Sequence, residues 1–182
     1  MDPQGNAMAV WVNRKGQGAA EALTASRFSP ATGWAAPVEV AAGLLARPTY
    51  DPPGLVFDGE GFVAAFTASS GTRLATYTTR FNPEAGTWSQ PEARQAASDA
   101  DTVTRMPRLV GDRRGNLMLI WATGAAPSFK LVYQRFAQGK WSQTTPLAAG
   151  SVTNQYFAIS NYPLPIGIND SGLITLAWGN YD

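Results

Sequence analysis

Four glycines, Gly5, Gly61, Gly115 and Gly172, recur at steps of 56, 54 and 57 residues. Each opens an apolar run, written AMAVW, FVAAF, LMLIW and LITLAW. Three tryptophans, Trp34, Trp88 and Trp141, step in parallel at 54 and 53 residues, each behind a small turn that reads TGW, GTW or GKW. A unit repeated at this spacing is a piece of supersecondary structure, and it buries its apolar faces by stacking on its own copies.

Laid over one another, the units read as four strands each. The first strand ends in a turn carrying Asp or Asn and Gly, at residues 2–5, 58–61, 112–115 and 169–172. Asp and Asn bond the backbone ahead of them, and Gly supplies a positive φ that closes such a loop. The second strand is the apolar run after the Gly. It is apolar at nearly every position, the pattern of a strand covered on both faces. The third strand ends in Arg-Phe in all three copies: Arg27-Phe28, Arg80-Phe81 and Arg135-Phe136. The fourth begins at the Trp and soon meets a Pro, in WAAPVEV, WSQPEAR and WSQTTPL. Pro has no N–H to give to a ladder, so this strand is expected at a sheet edge. Long connections then lead back to the next inner strand, in AAGLLARPTYDPP, QAASDADTVTRMP and AAGSVTNQYFAISNYPLP.

The expected fold is therefore all-β, a β-propeller-type array of four-stranded antiparallel blades. The chain reads as a single repeat domain, residues 1–182, with blade units at about 1–43, 44–98, 99–150 and 151–182. Three strands, two sets of four and a final pair give about three blades. Closed propellers take about four to eight. The reading is of a partial array, completed by further chain or by further copies, and the mid-repeat start favours a piece of a longer protein.

Composition narrows the function. Charge is balanced, 14 basic against 13 acidic residues, and the cations are scattered. That lacks the clustered footprint by which proteins hold nucleic acid. With no Cys and no His, disulfides, thiolate or imidazole metal sites, Cys nucleophiles and Ser-His-Asp triads are excluded. No apolar stretch approaches the roughly 18 residues of a membrane helix. No cofactor is expected.

The D-x-x-G turn, the apolar run ending in Trp, the strand ending in Arg-Phe and the following G-x-W resemble the propeller repeats of secreted bacterial sialidase-like and lectin-like proteins. The resemblance covers nearly the whole chain and is one of fold. It implies an exported protein, extracellular or in the cell envelope, and a glycan or protein ligand. Sialidase turns have the form S-x-D-x-G-x-T-W. The nearest match, at residues 82–88, has no Asp and has Gly86 one residue too close to Trp88. Arg105-Met106-Pro107 is similar to the family's Arg-apolar-Pro element, but here it is read within an interblade loop. The family's catalytic set cannot be assigned, so no catalytic residue is named.

Candidate sites follow from the loops. The expected binding residues are Arg47, Tyr50, Asp51, Arg105, Tyr156, Asn161 and Tyr162, which combine flat apolar faces with hydrogen-bonding tips. Asp2, Asp58 and Asp112 read as turn caps; each turn offers too few oxygens for calcium, and no metal site is expected. Asp99 and Asp101 could form an acid–base pair but read as solvated. The repeated Arg reads as a structural residue beside a neighbouring blade. Trp11, Trp121 and Trp178 read as core, and Trp34, Trp88 and Trp141 as packing against the adjacent blade. The expected function is a non-catalytic binding or interaction module, carbohydrate-binding on the family resemblance. The alternatives are a fragment of a sialidase-like glycoside hydrolase, and a structural scaffold.

Overall fold

A computed structural model describes residues 1–14, 21–46, 52–70, 73–94, 103–125, 128–147, 152–153, 165–169 and 171–177. Every regular element among them is a strand.

The turns set the register. Asp2 N–H donates to the Asn6 carbonyl at 2.9 Å, while Asn6 N–H and its side-chain amide donate to Asp2 Oδ1 and Oδ2, each at 2.8 Å. The same five-residue loop recurs at Asp112, where Asn116 donates from its backbone at 3.1 Å and its side chain at 2.7 Å. It recurs again at Asn169, whose Oδ1 accepts from Leu173 N–H at 2.9 Å. The aligned glycines Gly5, Gly115 and Gly172 take φ of +82°, +86° and +79°. The turn at Asp58 departs from this pattern. It closes one residue sooner, Asp58 N–H to Gly61 carbonyl, so the positive φ moves to Gly59 at +104° and Gly61 does not need it.

Four antiparallel sheets follow in chain order. The first holds β1 (Ala7–Arg14), β2 (Glu21–Ser29) and an outer strand in two pieces, β3 (Gly33–Trp34) and β4 (Val38–Glu39). The second has an inner strand in two pieces, β5 (Leu45–Ala46) and β6 (Gly54–Phe57), then β7 (Phe62–Ser70), β8 (Arg73–Asn82) and outer pieces β9 (Thr87–Trp88) and β10 (Glu92–Ala93). The third runs β11 (Val103–Gly111), β12 (Leu117–Ala125) and β13 (Ser128–Ala137), with outer pieces β14 (Lys140–Trp141), β15 (Thr145–Pro146) and β16 (Val152–Thr153). The fourth is the hairpin of β17 (Ile166–Ile168) and β18 (Ile174–Leu176).

The outer strand, read from sequence as continuous, is broken in each of the first three sheets. Pro37 and Pro91 fall in the gaps of the first two, and Pro146 lies in β15. Pro forfeits a ladder bond, so pairing resumes beyond it only briefly. Next to each gap one bond repeats at 2.8 Å: Ala35, Ser89 and Ser142 N–H donate to the carbonyls of Arg27, Arg80 and Arg135.

The sheets stack face on face, with a separate apolar core at each interface. Met8, Leu23 and Ala25 of the first sheet meet Phe62, Phe66, Tyr77 and Phe81 of the second. Val63 and Ala65, on the opposite face of β7, meet Leu109, Leu117, Leu119 and Trp121 of the third. Met106, Ala122 and Leu131 of the third sheet meet Leu176 of the fourth. The continuous apolar runs are thereby explained. In β7, Phe62 and Phe66 point one way and Val63 and Ala65 the other, and β12 divides in the same way between Leu117, Leu119, Trp121 and Ala122. Alternation is present in both strands, but both faces are dry.

Candidate functional site

The recurrent arginines join the sheets to one another. Arg27 at the end of β2 places its guanidinium carbon 5.7 Å from the centroid of the Phe81 ring in the next sheet. Arg80, one unit later, stands 5.4 Å from the ring of Phe136. Arg94 adds a third contact, 5.2 Å from the Trp141 ring. Both receiving rings, and Phe28 at the same place in the first sheet, are braced by the Trp of their own outer strand: Phe28–Trp34 at 5.5 Å, Phe81–Trp88 at 5.5 Å and Phe136–Trp141 at 5.3 Å between centroids, all tilted. A guanidinium on the negative face of a ring is worth about 0.5–2 kcal/mol depending on burial. Arg80-Phe81 therefore serves two interfaces, the Arg reaching forward to Phe136 and the Phe receiving Arg27 from behind. Trp88 and Trp141 pack against the cores as expected. Trp34 stays 57% exposed, and Trp11 is half-buried on the face of the first sheet turned away from the second.

A groove of about 300 Å³ lies at the rim between the second and third sheets, lined by Arg80, Ser89, Glu92, Arg94, Phe136 and Trp141. Its cations already have partners. Arg80 pairs with the fully buried Asp58 and lies 3.8 Å from Glu60, and Arg94 pairs with Glu92. With both charges balanced within the fold, the groove has no strong claim on an anion.

The expected binding residues divide unevenly. Arg47, Tyr50, Asp51, Tyr156, Asn161 and Tyr162 lie outside the described residues, as do Asp99, Asp101 and Trp178. Arg105 is described, and its setting corrects the sequence reading. It is not in a loop. It belongs to β11, an inner strand, which continues back to Val103 through Pro107. A bulge between Arg105 and Arg108 makes that passage feasible: Arg105 pairs with Ala122 and Arg108 with Ile120, so two residues on β11 stand against one on β12. Met106 takes φ +53° there, Pro107 is fully buried, and the Arg108 guanidinium donates to the Pro107 carbonyl at 3.0 Å. A bulge leaves a residue out of the ladder, so the Pro that lacks a donor costs little at that point. Sequence reasoning missed this because Pro reads as a breaker. The available signal was the β-branched and apolar residues on both sides of it.

Arg105 is half-buried, and among the described residues no hydrogen-bond or ion-pair partner meets its guanidinium. Its five donors suit paired oxygens, either a carboxylate or neighbouring hydroxyls. Among the described residues no group of three or more acidic side chains converges as a metal site would. Asp112 is buried in its turn. Burial opposes its ionisation, but the Asn116 side chain, the Arg114 and Asn116 N–H groups and the Arg114 charge together hold its pKa below the ordinary carboxylate value. Burial raises the Tyr77 phenol.

No protein-family model matches the chain, and no curated protein matches it. Among solved structures, the chain is similar to an α-L-arabinanase of Penicillium chrysogenum, determined in complex with arabinobiose. The TM-score is 0.56 at 17% identity, over 84% of this chain and 48% of the arabinanase. The chain thus spans about half the length of that relative. At this identity the likeness concerns fold alone. With the stacked antiparallel sheets, it defines the chain as an all-β protein of the β-propeller type. No helix among the described residues is long and apolar enough to cross a membrane.

Proposed function

We propose that the chain is a propeller-type binding module for carbohydrate, without catalysis of its own, and that the bulged segment 105–108 of β11 is its point of recognition. The observation that carries this reading is the half-buried guanidinium of Arg105 on a bulged inner strand, which meets no partner among the described residues. Bulges re-aim side chains and cluster beside binding and active sites. A half-buried guanidinium costs little further desolvation when it receives a ligand, and its fork fits vicinal hydroxyls or a sugar carboxylate. The likeness to a protein solved with a disaccharide supports the ligand class. Arg47, Tyr50, Asp51, Tyr156, Asn161 and Tyr162 are proposed as further contacts on residue chemistry alone.

The test is calorimetric titration of residues 1–182 with arabinobiose and a panel of neutral and acidic oligosaccharides. Binding by at least one sugar is expected, weakened about tenfold or more in Arg105→Ala, the loss of a charge-assisted pair of hydrogen bonds. Silence across the panel, or an Arg105→Ala variant that binds as tightly as the parent, overturns the proposal.

A second reading, a share in glycoside cleavage, is favoured by the arabinanase likeness. It would draw on Asp99 and Asp101, and it predicts release of reducing sugar that the double substitution to Ala abolishes.

A further inference from the structure

Arg105 and Arg108 stand three residues apart, so in an unbroken strand their side chains would leave opposite faces of the sheet. The bulge reverses that. Arg105 pairs with Ala122 and Arg108 with Ile120, two residues apart on β12 and therefore on one face of it. Both guanidinium groups thus leave β11 on the same side. The turn of the chain between them is strained. Met106 holds φ +53° although it carries a side chain, and that side chain is buried against Ala122 and Leu131. Such a conformation persists only where its surroundings over-determine it. Pro107, fully buried, has no N–H with which to tie the bulge down. Arg108 supplies the tie. Its Nη1 turns back along its own strand and donates to the Pro107 carbonyl at 3.0 Å. Of two cations on one face, one is committed to the backbone. Repulsion between like charges keeps the other from settling on the same carbonyl.

We propose that Arg108 is a positioning residue for Arg105, one that holds the bulge in the register that aims the recognition guanidinium. This rests on the reading of segment 105–108 as the point of carbohydrate recognition. Arg108 acts through the backbone and not on the ligand. Its bond fixes the peptide after Pro107. That peptide keeps Met106 in the left-handed region and seated against Ala122 and Leu131, and Met106 sets the direction in which Arg105 leaves the strand. A guanidinium held this way needs no ordering by the ligand, so less binding energy is lost when the ligand arrives. Without the donor on Arg108, the buried Pro107 carbonyl loses that partner, and the bulge can relieve the loss by moving along the strand. A move of one residue turns Arg105 to the opposite face.

The experiment compares Arg108→Met, which keeps an apolar stem and drops the donor, with Arg108→Lys, which keeps a charged donor. Residues 1–182 are titrated with the tightest-binding sugar of the panel, and NMR follows two signals. One is the strong amide-to-Hα contact within Met106 that marks its positive φ; the other is the order of the Arg105 Nε–H group. Arg108→Met should bind about 3- to 10-fold more weakly, the worth of one net hydrogen bond. The Met106 contact should fade and the Arg105 Nε–H group should lose order. Arg108→Lys should recover most of all three. Arg105→Ala should lose binding yet leave the Met106 signal in place, which separates the residue that binds from the residue that positions. Unchanged affinity in Arg108→Met, equal losses in Arg108→Met and Arg108→Lys, or a lowered melting temperature with both signals intact would each overturn the proposal. If the parent binds no sugar, the carbohydrate reading falls by itself. The positioning role is then decided by the two signals, which must change together in Arg108→Met and return in Arg108→Lys, and it is overturned if they do not.

Discussion

The aspartate of each hairpin turn does with one side chain what a longer loop would need several groups to do. Asp112 accepts from Arg114 N–H at 2.8 Å, from Asn116 N–H at 3.1 Å and from the Asn116 amide at 2.7 Å, so its carboxylate is almost fully engaged while buried. Its pKa is held low in the folded state, so the ionised form stabilises the fold. That contribution is complete above the unfolded carboxylate value of about 3.9 and is lost as pH falls through the lower folded value. Asp112→Asn keeps an Oδ1 acceptor, as Asn169 shows in the fourth sheet, but loses the acceptor for the Asn116 amide. The parent should therefore be more stable than Asp112→Asn at pH 7, with the gap closing below about pH 4. Urea midpoints measured from pH 7 to pH 2.5 check this, and a gap that stays constant across the range contradicts the assignment.

At the scale of elements, successive turns touch. Gly115 N–H donates to the Asp58 carbonyl at 2.7 Å, so the hairpin of the third sheet hangs on that of the second. Gly59 sits in this contact with φ +104°, and a Cβ there would collide with the Arg113 carbonyl. Gly86 has φ +67° and open space around it. Gly59→Ala should thus cost about 2 kcal/mol or more, because strain and backbone collision add. Gly86→Ala should cost about 1 kcal/mol, the left-handed penalty alone. Thermal unfolding compares the two, and equal losses would mean that the turn–turn contact carries no weight. These elements were legible in the sequence to different degrees. The turns, the two-faced runs and the Arg-Phe ends could be read because each depends on chemistry within a few residues. The move of the positive φ from Gly61 to Gly59 could not, since it follows from a loop one residue shorter. Nor could the bulge at 105–108, because whether Pro107 breaks a strand or rides a bulge is settled by the partner strand. The repeated Arg could be read as a structural residue beside a neighbouring blade, but its particular partner could not. The ring it lies on is one unit away in sequence, at Phe81 for Arg27 and Phe136 for Arg80.

For the whole molecule, stability is divided among interfaces between neighbouring sheets. Strands covered on two faces should open last. Phe66 and Trp121, at most 1% exposed, belong to such strands, β7 and β12. Among the described residues, β1 is covered by the second sheet on one face only, with Trp11 half-buried on the other. In the hairpin of the fourth sheet, Leu176 joins a core while Leu173 is 65% exposed. Local opening follows buried contact, so native-state hydrogen exchange should rank the amides of β7 and β12 as most protected, those of β1 lower and those of β17 and β18 lowest. The unequal interfaces give the order. The second and third sheets share a core of large side chains backed by Arg80 on Phe136, whereas the third and fourth share a small cluster with no ring on Arg135 among the described residues. Uniform protection across the four sheets would show that they open as one unit, and the account of separate stacked interfaces would fail with it.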